Sequence, residues 1–295
     1  MSNGKGKGTE RVSIAGAGKI SGGTYQSVKV AGSGTIEGDV FAGTISTAGS
    51  CAFQGDVEAE EMKTAGSCRV SGDVRAEEFR VSGSATVEGQ LSADIVKASG
   101  SLRVGEKLTA SFVKTSGSLT VGGDVEADKF VAEGSFEIEG LLTADEIEIR
   151  LGGDCSVREI GGERIEVRQK SPRFRPEDLE RKVERKVREK ARAKRWRFEE
   201  LGIEIDIDVE KMARELGKLG AMLGNLGLSL TGFGGYGTLE AEVIEGDEIY
   251  LESTKAKVVR GKRVVIGPDC EIERVEYEES LEIDESADVG EEQRV

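Results

Sequence analysis

Val81-Ser82-Gly83-Ser84-Ala85-Thr86-Val87-Glu88-Gly89-Gln90-Leu91-Ser92-Ala93 is one copy of a pattern that returns along the chain at a fixed interval. Gly49, Gly66, Gly83, Gly100, Gly117 and Gly134 stand 17 residues apart, each followed by Ser, and Gly32-Ser33 extends the series one step back. A constant period of this size marks a solenoid, a single structural unit stacked on copies of itself.

With the shared Gly as column zero, the apolar positions fall into columns. Column two runs Gly34, Cys51, Cys68, Ala85, Leu102, Leu119, Phe136, and column four runs Ile36, Phe53, Val70, Val87, Val104, Val121, Ile138. Column eight is Val or Leu from Val40 to Leu142, and column ten is Ala in every copy from Ala42 to Ala144. Columns thirteen and fifteen repeat the pattern, as in Ile45 and Thr47 or Phe79 and Val81. Within each pair the spacing is two, the period of a strand. Between pairs the gaps are wider and two of them hold Gly, which adopts backbone angles other residues avoid. Column six is Gly except at Glu106, where Gly105 comes one residue early. Three short strands and three corners make a triangular coil of about 17 residues, stacked as parallel strands ~4.8 Å apart. The expected fold is all-β, a parallel β-helix, with right-handed winding as is usual for parallel crossovers.

Further along, the pattern is interrupted. Met1 to Glu10 is rich in Gly and Lys and reads as a disordered tail, 1–10; the β-helix spans 11–170. Ser171-Pro172-Arg173-Phe174-Arg175-Pro176 breaks the repeat and opens an α-helical insert, 171–237. Pro176 before Glu177 and Asp178 is a helix start. The insert is expected to hold a basic helix, 177–200, with Arg181, Lys182, Arg185, Lys186 and Arg188, and an amphipathic helix, 209–225, with its stripe Val209, Met212, Leu216, Leu219 and Leu223. Strand-like pairs return over 238–284, and 285–295 reads as an acidic tail.

The repeated Val-x-Gly-Ser-x-x-Val-x-Gly-Asp-Val-x-Ala signature, as in Val81 to Ala93 or Phe130 to Ala144, resembles the bactofilins, the polymer-forming cytoskeletal family. The glycine and aliphatic columns over 12–149 carry the likeness, and Ile244 to Tyr277 is similar to the later part of longer, two-part members. The resemblance implies a right-handed β-helix that joins end to end into filaments without nucleotide and scaffolds cell-shape or envelope proteins. Many members carry a short apolar membrane-targeting N-terminus. Met1 to Glu10 has no such segment, so membrane association is not expected from the N-terminus, and the helical insert is a second departure.

Composition bounds the function. Formal net charge is −15, which argues against nucleic acid or an anionic membrane as partner of the whole surface. No run approaches membrane-spanning length, and the reading of the cysteines as core residues points to a cytoplasmic location. There is no histidine, which removes the commonest general base, and no GxxxxGK[ST] loop for a nucleotide. No catalytic residue, cofactor site or metal site is expected. The four cysteines lack metal spacing; Cys51 and Cys68 share column two, where they are either small buried side chains or a disulfide, and Cys155 and Cys270 read as core. Asp39, Asp56, Asp73 and Asp124, each after a corner Gly, are expected to bond nearby backbone amides.

Two features point to assembly. Ile14, Ile20, Val28 and Val30 are the expected polymerisation interface, since an open strand edge at a coil end invites pairing. Column eleven forms an acidic ladder, Glu60, Glu77, Asp94, Asp128 and Asp145, in which like charges ~4.8 Å apart repel by about 1 kcal/mol before screening. It either tolerates that repulsion in solvent or meets a basic partner such as residues 177–197. The expected function is a structural protein that self-assembles into filaments and scaffolds other proteins. The alternative is a non-polymerising adaptor whose ends are capped by its own helices.

Overall fold

In the computed structural model, which describes residues 8–170 and 237–295, every regular element is a strand. The first three are β1 Arg11–Ile14, β2 Ala17–Val30 and β3 Ser33–Thr47. Short and long strands then alternate: β4 Ser50–Phe53, β5 Val57–Thr64, β6 Ser67–Val70, β7 Val74–Val81, β8 Ser84–Val87, β9 Leu91–Ala98, β10 Ser101–Val104, β11 Leu108–Thr115, β12 Ser118–Val121 and β13 Val125–Ala132. Longer strands follow: β14 Ser135–Leu151, β15 Cys155–Gln169, β16 Leu239–Leu251, β17 Thr254–Ile266, β18 Glu271–Ile283 and β19 Asp288–Arg294. All pairings are parallel, and the chain winds through about 13 turns. The expected helical insert falls on 171–237 and so lies almost wholly outside the described residues.

The repeat columns are the registers of the ladder. Val70 pairs with Val87, and Ala76 with Ala93. The eight-residue strands bend once: β5 shows inward side chains at Val57, Ala59, Met62 and Thr64, and pairing with β7 skips from Ala59 to Glu61. One short strand and one bent strand thus give three inward pairs per coil. The core is a single column from Ile14 to Val275, with Phe53, Phe79 and Phe130 fully enclosed. The Ala column lies beside the bend of the long strands: Ala59, Ala93, Ala110 and Ala144 are buried, and Ala42, Ala76 and Ala127 pack on the core half-buried.

Two corner devices explain the recurring glycines. At column zero, Ser84 N–H donates to Gly66 O at 2.9 Å. The chain passes so close that a Cβ on Gly83 would lie 2.1 Å from that same oxygen. At column six, Asp56 Oδ1 accepts the N–H of Asp73 at 2.9 Å, and a Cβ on Gly72 would lie 2.1 Å from that carboxylate oxygen. Asp39 to Asp56, Asp73 to Gln90 and Asp124 to Leu141 repeat the bond at 2.9–3.0 Å. Each Asp therefore reaches forward one coil, over a glycine that must lack a side chain to let it pass. The column of buried Thr is less well served: the hydroxyls of Thr47, Thr64 and Thr115 find no partner in the core.

After β14 the period breaks but the coil does not. β14 and β15 change register between Ile138 and Leu141. β15 then pairs directly with β16, Cys155 with Leu239 and Ile165 with Ile249, so 238–284 continues the same ladder across residues 171–236. From β16 to β17 the coil shortens, with Leu239 opposite Thr254 and Ile249 opposite Val264. The acidic tail also takes part: Asp288 to Arg294 is the strand β19, paired with β18.

Candidate functional site

A stacked coil has two ends and three long faces, and the expected functional residues fall on both. At the N-terminal end β1 lies on the second half of β2, with Val12 over Val28 and Ile14 over Val30. Val28 and Val30 are therefore 0 and 1% exposed and sit one rung inside. Of the four expected interface residues, only Ile14 and Ile20 belong to the outermost rung. The physical reason is the short first coil: β1 covers Val28 and Val30 at a spacing of 16, which does not follow the later period. The inward positions of the terminal rung are Val12, Ile14, Gly18, Ile20 and Gly23, which face Val28, Val30, Gly34, Ile36 and Val40 below. None is charged.

The C-terminal end is built differently. Its inward positions are Leu281 and Ile283 of β18, Ala287, and Val289, Glu292 and Arg294 of β19. Column eight is apolar and at most 1% exposed at Val40, Val57, Val74, Leu91, Leu108, Val125, Leu142, Ile160, Ile244, Val259 and Val275. It ends in Glu292, paired with Val275. Arg294 closes the neighbouring column opposite Tyr277, its Nε donating to Glu278 O at 3.1 Å. Ile283 is 37% exposed there.

Along the side, Glu60, Glu77, Asp94, Asp128 and Asp145 line one groove of about 810 Å³, with the Ala column as its floor. The structure thus brings the acidic ladder together, and all five side chains are exposed. Its opposite wall is column nine, including Glu58, Arg75, Glu126 and Thr143. The same 17-residue spacing marks that wall in the sequence, but its mixed charge hides it. Arg181, Lys182, Arg185, Lys186 and Arg188, the expected basic helix, lie outside the described residues.

The buried chemistry is quiet. All four cysteines are free and buried, and the Sγ atoms of Cys51 and Cys68 stand 3.2 Å apart. Their mutual hydrogen bond, then burial, pushes the Cys51 thiol well up from its ordinary pKa. Burial likewise raises Cys155 and Cys270 to about 11, so these thiols are poor nucleophiles. Among the described residues no group of three His, Cys, Asp or Glu could hold a metal ion, and no helix is long and apolar enough to cross a membrane.

Comparison with known proteins follows the same repeat. The model of the bactofilin family, described as polymer-forming cytoskeletal, matches residues 2–92. Over that stretch, about a third of its length, the chain is similar to the bactofilins. Two relatives from Bacillus subtilis (strain 168) are similar over shorter spans. The uncharacterized protein YhbF is 54% identical over 55 residues, 19% of this chain and 23% of that protein. The uncharacterized protein YhbE is 61% identical over 51 residues, 17% of this chain and 22% of that protein. The chain thus spans less than a quarter of the curated relatives it matches. No solved structure matches it. The matched bactofilin segment takes in the N-terminal rung and the first coils of the acidic groove.

Proposed function

We propose that this chain is the subunit of a cytoskeletal filament that its copies build by joining end to end, without nucleotide, and that the filament scaffolds other proteins in the cytoplasm. The observation that carries this reading is the N-terminal rung. Its strand edge has no further strand on it among the described residues, and its inward positions are uncharged. A second copy seated there continues the backbone ladder and buries Ile14 and Ile20, as every internal rung is buried. The polymer-forming description of the matching family supports the same reading. The role is structural and not catalytic: the chain has no histidine, and its thiols are enclosed. Partner proteins would meet the long faces, the acidic groove first among them, whereas the net charge of −15 disfavours nucleic acid.

A second reading, a discrete adaptor rod, draws on the charged C-terminal rung. Negative-stain electron microscopy of the purified chain without nucleotide, over a range of salt and concentration, separates the two. Filaments of constant width are expected. Single-copy rods at every concentration would reject the polymer and leave the adaptor.

A further inference from the structure

We infer that a basic and apolar patch on the face formed by β9, β11 and β13 docks a short acidic segment of a partner protein, one that carries carboxylates around an apolar anchor. This rests on the scaffold reading above and names a partner class for a face apart from the acidic groove.

Each long strand turns two side chains outward, one on either side of an inward one. On β9 these are Ile95 and Lys97, flanking Val96; on β11 they are Phe112 and Lys114, flanking Val113; on β13 they are Lys129 and Val131, flanking Phe130. The ladder sets Phe112 opposite both Ile95 and Lys129, and Lys114 opposite both Lys97 and Val131. Three apolar and three basic side chains therefore share one surface, with Phe112 at its centre. Ile95 and Phe112 are half-buried. Val131 is 7% exposed yet stands outside the core cluster, so its outward neighbours cover it. Lysine stems lie along apolar surface in this way while their charged heads stay in water.

No acid occupies these six positions. Elsewhere from β5 to β16 the same face carries Glu61 on β5, Glu78 on β7, Glu146 and Glu148 on β14, Glu166 on β15 and Glu248 on β16. In a chain of net charge −15, three successive strands without an acid reverse the local sign. The lysine heads reach to the rim: Lys97 to Glu78 and Lys114 to Glu133, both at 3.5 Å, and Lys129 to Glu146 and Glu148 at 2.8 Å. Surface pairs are weak, so a partner's carboxylates can take over Lys97 and Lys114 at little loss.

An acidic segment is attracted here and repelled by the chain's overall charge, which fixes where it lands. An apolar anchor beside its carboxylates buries against Phe112 and Ile95, giving a contact with an apolar centre and a charged rim. Size favours the same occupant. Three strands ~4.8 Å apart make a patch about 10 Å long. That suits a short segment and falls short of the ~800 Å² that each partner gives to a stable rod-on-rod contact.

A fluorescein-labelled peptide, Asp-Glu-Leu-Phe-Asp-Glu, titrated with the full chain and followed by anisotropy tests this, with electron microscopy of the same samples. Saturable binding that weakens with added salt is expected. Lys97→Glu with Lys114→Glu should abolish it, and Phe112→Ser should weaken it about tenfold or more, as loss of a central anchor does. Phe112→Leu, which keeps an apolar anchor, should restore most of the affinity. Lys63→Glu, in the same outward column on β5, should change little. Unchanged far-ultraviolet circular dichroism confirms that each variant keeps the coil. No saturable binding, or equal binding by the wild-type chain and both patch variants, overturns the proposal. So does binding of phosphatidylserine vesicles in place of the peptide, which gives the patch to a membrane. Lateral bundles that Phe112→Ser disperses, with no peptide bound, give it to a second copy and also overturn the proposal. Peptide binding by a chain that forms no filaments keeps the patch and rejects the filament; filaments without peptide binding do the reverse.

Discussion

The coils before Leu151 and those after Leu239 solve one stacking problem by different means. In the early coils the corners are held by backbone. Gly carbonyls accept Ser amides, Asp side chains accept amides from the next coil, and the glycines make room for both. In the late coils the Gly-Ser and Gly-Asp corners do not recur at a fixed period, although Gly246 and Gly261 still pass close to the carbonyl of the coil before. Charged pairs between coils, present in the early coils too, crowd the outer face there. Lys257 bonds Glu242 at 2.6 Å, Lys262 bonds Asp247 at 2.8 Å, and Arg260 bridges Glu245 and Glu276 at 3.1 and 2.6 Å. Arg263 does the same between Glu248 and Glu279. Backbone devices demand one period and one residue type, so they leave a repeat in the sequence. Side-chain pairs tolerate coils of different length, and the period dissolves where they take over.

Breaking this contrast should cost most at a glycine. Gly83→Ala forces a Cβ against the Gly66 carbonyl and is expected to destabilise the chain by about 3 kcal/mol, the upper range for overpacking. Gly161→Ala, in β15, meets nothing within 4 Å and should be close to neutral. Urea midpoints of the two variants make the comparison, and equal losses would refute it. Asp73→Ala is next. It removes the acceptor of the Gln90 amide and should cost about 1.5–3 kcal/mol, the range for a hydrogen bond to a charged group.

Acid should produce the smallest effect and sharpen the contrast. The Arg260 hydrogen bond holds the Glu276 carboxyl below the ordinary glutamate range, and Lys257 does the same to Glu242. A lowered folded-state pKa means stability that is present above the unfolded value and lost as pH falls through the folded one. Below the ordinary glutamate range the late coils should therefore lose amide protection in hydrogen exchange before the early ones. Glu78 and Glu148 are also lowered, by Arg80 and Lys129, but their coils keep the backbone corners. Simultaneous loss in both regions would remove the distinction.

The same division explains what was legible in the sequence. The glycine, aliphatic and alanine columns predicted the early registers residue for residue, because a fixed backbone geometry repeats covalently. The acidic ladder was legible on the same grounds. The continuity of Cys155 with Leu239 was not, since the spacing between rungs changes at each late coil. β19 reads as a tail in the sequence because Glu292 and Arg294 occupy positions where the pattern calls for apolar side chains. Val28 and Val30 read as the end because a four-residue strand, β1, carries too little periodicity to announce the rung above them.

Gln169 and Gly237 touch: the side-chain amide of Gln169 donates to Gly237 O at 2.6 Å. The stretch between them therefore leaves and re-enters the coil at neighbouring rungs, while Cys155 and Leu239 stay in register. Closing a longer loop costs only about 0.6 kcal/mol per doubling of length. A change in the length of chain between β15 and β16 should therefore leave the register of Cys155 with Leu239 as it is.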